Sequence, residues 1–143
     1  MANVSVFGLG YVGCVSAACL AKEGHSVIGV DINPTKVDLI NQGKPTVVEE
    51  GVGELVAAVH AEGRLRATLD TAEAVADSTI SLVCVGTPSK PNGSLDLQYV
   101  RKVSTEIGEA LRKKNRGRHV VVVRSTVLPG TTRTLVIPAI AAA

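Results

Sequence analysis

At 143 residues the chain has room for one domain, whose core can bury roughly two thirds or more of the unfolded surface. Apolar residues make up 45% and aromatics only 2%, so the core must be Val, Ile, Leu and Ala, as in buried parallel strands between helices. A formal charge of +2, from 15 basic and 13 acidic residues, argues against a strong electrostatic partner, and no apolar run reaches membrane-spanning length.

The pattern predicts alternating strands and helices. A strand over residues 3–7 is followed by a helix over 11–23 and a second strand over 26–30. Asn33 reads as the N-cap and Pro34 as the first position of a helix running to Asn41, with Gly43 ending it. The acidic loop Val48-Glu49-Glu50-Gly51-Val52-Gly53 leads to a helix over 54–61, and a third strand covers 64–69. Asp70 and Glu73 have the spacing of a capping box for a short helix. Strand four spans 79–85, Pro88, Pro91, Asn92 and Gly93 mark a loop, and Asp96 caps a long helix ending near Lys114. Strand five, over 119–123, is almost pure valine. Such alternation predicts a parallel sheet with helices on both faces and right-handed crossovers, in a single domain over 1–143.

The basic run Arg112-Lys113-Lys114-Asn115-Arg116-Gly117-Arg118 falls at a predicted helix end, where cations suit the helix dipole, so it is read as structural and not as a nucleic-acid patch. Cys14, Cys19 and Cys84 lack metal-ligand spacing and are read as small core residues with reduced thiols. Met1-Ala2-Asn3 runs straight into the first strand without signal-like features, and a cytoplasmic protein is expected.

The chemistry is concentrated at the first turn. Val4-Ser5-Val6-Phe7-Gly8-Leu9-Gly10-Tyr11-Val12-Gly13 places three glycines at G-x-G-x-x-G spacing between an apolar strand and a helix. Gly8 permits a tight turn, Gly10 leaves the backbone open to a pyrophosphate, and Gly13 lets the helix pack close to the sheet. Free N–H groups at the helix start then face phosphate charge. Asp31, ending the second strand, can accept hydrogen bonds from the adenosine ribose hydroxyls and disfavours a 2′-phosphate, which selects NAD over NADP. The full setting of strand, turn, helix, strand and acid predicts a Rossmann-type doubly wound α/β fold that binds NAD. Two further segments, Cys84-Val85-Gly86-Thr87-Pro88-Ser89 and Arg124-Ser125-Thr126-Val127-Leu128-Pro129-Gly130-Thr131, follow strands four and five. Each brings a threonine to the sheet edge where ligands bind in this fold, although threonine after a strand is also a common turn residue.

These motifs together resemble the amino-terminal domain of the UDP-glucose/GDP-mannose 6-dehydrogenase family: Phe7 to Gly13, Val30-Asp31, Val85-Gly86-Thr87-Pro88, Asp96-Leu97 and Arg124 to Thr131, in order over nearly the whole chain. Gly86-Thr87-Pro88-Ser89-Lys90 and Ile40-Asn41-Gln42-Gly43-Lys44 are similar to the GDP-mannose branch. The resemblance implies oxidation of a sugar-nucleotide primary alcohol to a carboxylate with two NAD, through a thiol-linked intermediate. It implies NAD contacts at Tyr11, Val12, Asp31, Lys36, Thr87 and Thr126, and a supporting catalytic role for Thr126 in orienting a water.

Departures accompany the match. Glu50 and Val52 replace a proline and a leucine of the family's acidic loop. Family members continue into a second domain that carries the nucleophilic cysteine and most of the sugar-nucleotide site, and Cys14, Cys19 and Cys84 match no such position. The chain is therefore expected to be a truncated NAD-binding domain that is inactive alone; a stand-alone NAD-binding module is the alternative. A complete short-chain-type reductase is disfavoured, since Tyr99 is followed by Val103 where that chemistry needs lysine. In a strand order 3-2-1-4-5-6, residues 120–123 lie at or near an unprotected edge, and the stripe Leu135, Val136, Ile137 and Ile140 needs cover in a segment where Pro138 makes an uninterrupted helix costly. Self-association is the expected consequence.

Overall fold

A computed structural model describes residues 1–114 and 117–143. Strands β1 (Asn3–Phe7), β2 (Ser26–Val30), β3 (Leu65–Thr68), β4 (Ile80–Val83) and β5 (Val120–Val123) pair in parallel in the order β3-β2-β1-β4-β5. Side chains alternate across the sheet, so each strand feeds both faces. Val4, Val6, Val27, Leu65 and Ala67 pack under α1 (Tyr11–Lys22), α2 (Pro34–Asn41) and α3 (Val52–Ala61). Phe7, Ile28, Val30 and Val83 pack under α4 (Thr71–Ala76) and α5 (Gln98–Lys113). This is the expected doubly wound architecture, with β5 at one edge of the described sheet.

Differences from the sequence expectation are local. The strands predicted over 64–69, 79–85 and 119–123 are shorter, at Leu65–Thr68, Ile80–Val83 and Val120–Val123, and β4 ends with the β1 ladder, where Gly8 at φ +94° turns the chain away. Helix α1 ends at Lys22, with Glu23 as its C-cap, and α3 starts at Val52 because Gly51, at φ 77°, supplies the turn. Only half of the capping box forms. Asp70 accepts from the Ala72 and Glu73 N–H groups, but Glu73 is engaged by Arg66 and Thr68 and does not return to the Asp70 N–H, which donates to Thr68. Asp96 does accept from the Gln98 N–H, although Leu97 holds the N-cap position of α5. Cys19 is exposed, contrary to the reading of all three cysteines as core. The buried face of α1 is Cys14, Ala17, Ala18 and Ala21, a 3.6-residue spacing that turns position 19 outward.

The terminal segment finds cover within the chain only in part: Ile137 is exposed and Ile140 half-buried. A π-helical turn over Thr132–Val136 runs straight into α6 (Ile137–Ala142), and the wider turn lets Pro138 sit in the first positions of α6, where its missing N–H removes no bond of that helix. Leu135 and Val136 are buried, and α6 closes on Gly108 of α5, where a Cβ would lie 2.5 Å from the Ile140 carbonyl oxygen.

A polar network lies inside the α4/α5 face. Ser5 and Ser81, paired across β1 and β4, touch at 2.8 Å, with Ser78 Oγ 2.9 Å from Ser5 Oγ. Lys114 donates to the Val75 and Ser78 carbonyls at the end of α4 and lies 3.3 Å from His119 Nδ1. An ammonium only donates, so Nδ1 accepts and Nε2–H donates to Ser81 Oγ at 2.8 Å. Lys114, read from sequence as part of a basic run, is thus a structural strut; Asn115 and Arg116 of that run lie outside the described residues.

Candidate dinucleotide site

The carboxyl ends of β1, β2, β4 and β5 converge around the glycine turn. Gly8 takes φ +94°, and a Cβ on it would lie 3.0 Å from the Cys84 carbonyl group. A Cβ on Gly13 would lie 1.7 Å from the Gly8 carbonyl oxygen, so the start of α1 can approach the turn only as glycine. Gly10 differs: nothing lies within 4 Å of its would-be Cβ. The open space there sits over the N-terminus of α1, whose first turn has no side-chain cap and keeps its N–H groups available. Tyr11 and Val12 open that helix with exposed side chains.

Asp31 is fixed from its own backbone surroundings. Its Oδ2 accepts from the Leu9 N–H at 2.7 Å and its Oδ1 from the Asn33 N–H at 2.9 Å, while Lys36 Nζ lies 3.9 Å from Oδ2. Each carboxylate oxygen retains a lone pair for a further donor. Beside it a cavity of about 200 Å³ opens between Ile32 and Leu69 on one side and Val85, Tyr99 and Val103 on the other. These apolar walls suit a flat ring. The structure brings Thr87 and Thr126 together as well: Thr87 Oγ1 donates to the Thr126 carbonyl at 2.7 Å, and Ser125 Oγ donates to the Val85 carbonyl at 2.6 Å. The Thr126 side chain is exposed.

Two contacts were not foreseen from sequence. Thr46 Oγ1 donates to the Leu9 carbonyl at 2.7 Å, tying the segment that leads into the acidic loop to the glycine turn. Glu49 lies beside the Tyr11 hydroxyl and raises the phenol's pKa, by its charge first and by accepting its hydrogen bond second. Cys84, beneath the turn, is disfavoured as a thiolate: burial pushes its thiol up to about 11 despite the opposing charge of Arg124.

The residues present therefore fit a dinucleotide: an open approach at Gly10, uncapped N–H groups, a held carboxylate and an apolar slot. Comparison with known proteins agrees. The model of the UDP-glucose/GDP-mannose dehydrogenase family, NAD binding domain, matches residues 2–143. The chain belongs to this family. A family relative, GDP-mannose 6-dehydrogenase from Pseudomonas putida, is 57% identical over 136 residues, covering 95% of this chain and 31% of the relative. The structure superposes on GDP-mannose dehydrogenase of Pseudomonas aeruginosa, crystallised as a ternary complex, with a TM-score of 0.94 and 57% identity over 96% of this chain and 31% of that one. A UDP-glucose dehydrogenase from Pyrobaculum islandicum gives a TM-score of 0.95 at 44% identity, over 99% of this chain and 33% of that one. The chain thus spans about a third of the length of these relatives and corresponds to the family's NAD-binding domain. No helix among the described residues is long and apolar enough to cross a membrane.

Proposed function

We propose that this chain is the cofactor-holding part of a nucleotide-sugar 6-dehydrogenase acting on GDP-mannose, with UDP-glucose as the other substrate found among its relatives. The observation that carries the reading is the pairing of the open space at Gly10 with the Asp31 carboxylate, which the Leu9 N–H of the same turn holds in place. Phosphates meeting the first turn of α1 and a ribose diol meeting Asp31 would be bound by one rigid unit. Tyr11 and Val12 flank the phosphates, Lys36 stands beside the ribose, and Thr87 and Thr126 reach the nicotinamide end. The higher identity to GDP-mannose enzymes than to the UDP-glucose enzyme favours the first substrate.

Oxidising a primary alcohol to a carboxylate removes four electrons, and bound NAD supplies a hydride acceptor for each two-electron step. This chain's residues bind and orient. The Thr126 hydroxyl, exposed at the sheet edge beside Thr87, holds a water near the reacting carbon in a supporting role. None of the three thiols suits covalent catalysis there: Cys14 is fully buried, Cys84 is held protonated, and Cys19 faces outward from α1. A cytoplasmic setting, with these thiols reduced, belongs to the same reading. So does self-association through β5, whose Val120 and Val122 are partly exposed at the sheet edge.

Titration of the 143-residue chain with NAD and with NADP by calorimetry tests the proposal. NAD binding that is tighter than NADP binding, with no NADH formed on adding GDP-mannose, is expected. Equal affinities, or turnover abolished by alkylating a cysteine, would refute it.

A further inference from the structure

The apolar slot beside Asp31 ends in charge. Lys102 and Glu106 stand four residues apart on one face of α5, both lining the cavity that Asp31 lines, with Nζ 4.0 Å from Oε1. Thr71, also on the cavity wall, donates to Glu106 Oε2 at 3.2 Å. The Glu106 carboxylate is thus held by Thr71 with the Lys102 ammonium nearby, and it keeps unused acceptor positions. Lys102, an ion-pair neighbour of Glu106 and not its hydrogen-bond donor, keeps ammonium protons for another acceptor. An acceptor beside a donor at the rim of a flat apolar slot is complementary to the hydrogen-bonding edge of a six-substituted purine.

We infer that Lys102 and Glu106 read the purine edge of the bound dinucleotide and select adenine. The inference rests on the proposed NAD site and names the base selection made within it. Adenine presents a donor, its 6-amino group, beside an acceptor, N1. Glu106 accepts from the amino group and Lys102 donates to N1. Hypoxanthine presents the reverse, an acceptor oxygen at position 6 beside an N1–H donor, so the carboxylate meets a lone pair and the ammonium meets a proton. A deaminated cofactor would occupy the same apolar walls, Ile32, Leu69 and Val103, with both polar contacts mismatched. The side chains are about one third and three fifths exposed, at 34% for Glu106 and 61% for Lys102, so water softens the discrimination.

The test is calorimetric titration of the chain with NAD and with nicotinamide hypoxanthine dinucleotide. NAD should bind about fivefold tighter to the unaltered protein, an effect on the scale of one partly screened charge-assisted hydrogen bond. Glu106→Gln, whose amide either donates or accepts, should bring the two within about twofold, the expectation for a contact that no longer distinguishes donor from acceptor. The double exchange Lys102→Glu with Glu106→Lys keeps an opposite-charge pair at the same spacing and should turn the preference toward the hypoxanthine cofactor. Equal binding of the two dinucleotides to the unaltered chain, or adenine preference surviving the exchange, would overturn this inference and leave the NAD site standing. Binding of neither would overturn both.

Discussion

Adding one methyl group at Gly13 or at Gly10 should have opposite consequences, and the contrast follows from what each would meet. At Gly13 the new carbon would lie 1.7 Å from the Gly8 carbonyl oxygen and 2.8 Å from its carbon. Both are backbone atoms, in a turn that Gly8 holds at φ +94° with its own N–H donated to the Val30 carbonyl at 2.8 Å. No rotamer relieves that overlap, so α1 or the turn must move. Overpacking of a tight core costs about 1–3 kcal/mol, and a backbone clash belongs at the upper end, about 3 kcal/mol. For a domain of this size that lowers the melting temperature by about 10 °C. At Gly10 the methyl meets nothing within 4 Å, and φ −77° is open to any residue. Losing glycine at an N-cap costs about 0.5 kcal/mol, or about 2 °C. Gly10→Ala should therefore keep the fold yet weaken NAD binding by about tenfold or more, because the methyl fills the space the pyrophosphate needs. Thermal melts monitored by circular dichroism, paired with calorimetric titration of NAD, read both effects. A Gly13→Ala protein that melts with the parent, or a Gly10→Ala protein that binds NAD undiminished, would refute the reasoning.

Asp31→Ala removes a charged acceptor of the ribose hydroxyls, worth about 1.5–3 kcal/mol per charge-assisted bond, and NAD affinity should fall by about tenfold or more in the same titration. His119 has its pKa lowered by burial first and by the Lys114 charge second, against the opposing effect of a hydrogen bond to the Ser78 backbone. Folded His119 therefore resists a proton that the unfolded chain accepts near pH ~6.5. Stability should be full above that value and decline as pH falls from it toward the lower folded value, and His119→Gln should flatten that decline in urea melts; an unchanged slope would show that the histidine is not coupled to folding. Val122→Lys places a charge on the exposed β5 edge and should reduce light scattering at micromolar concentration; a parent chain that is already monomeric, with unchanged solubility in the variant, would exclude the edge as an association site.

Much of this was written in the sequence because local and global signals agree. Gly8, Gly10, Gly13 and Asp31 are bound to a strand–turn–helix–strand unit whose geometry leaves few other uses for them. Asn33 accepts from the Thr35 N–H at 3.0 Å and begins α2 as its side chain predicts. What escaped were contacts between elements far apart in the chain. Ser5 and Ser81 sit where an apolar strand pattern hides a serine, and only the β1–β4 register, with His119 arriving before β5, turns them into a buried network. Thr46 reaching Leu9, and Lys102 and Glu106 reaching the apolar slot beside Asp31, depend on how α5 and the segment before α3 cross the sheet edge, which no spacing encodes. Lys102 and Glu106 look in sequence like any i,i+4 surface pair. Cys19 departs from the core expectation because helix phase, and not residue type, decides which side of α1 is buried.

A crystal structure of this chain grown with NAD tests the central claim most directly. The dinucleotide should cross the carboxyl ends of β1, β2 and β4, with its pyrophosphate over Gly10 and the start of α1, its adenosine ribose on Asp31 and its base between Ile32 and Val103. Density for NAD elsewhere on the chain, or an Asp31 carboxylate that makes no contact with the ribose, would contradict the account.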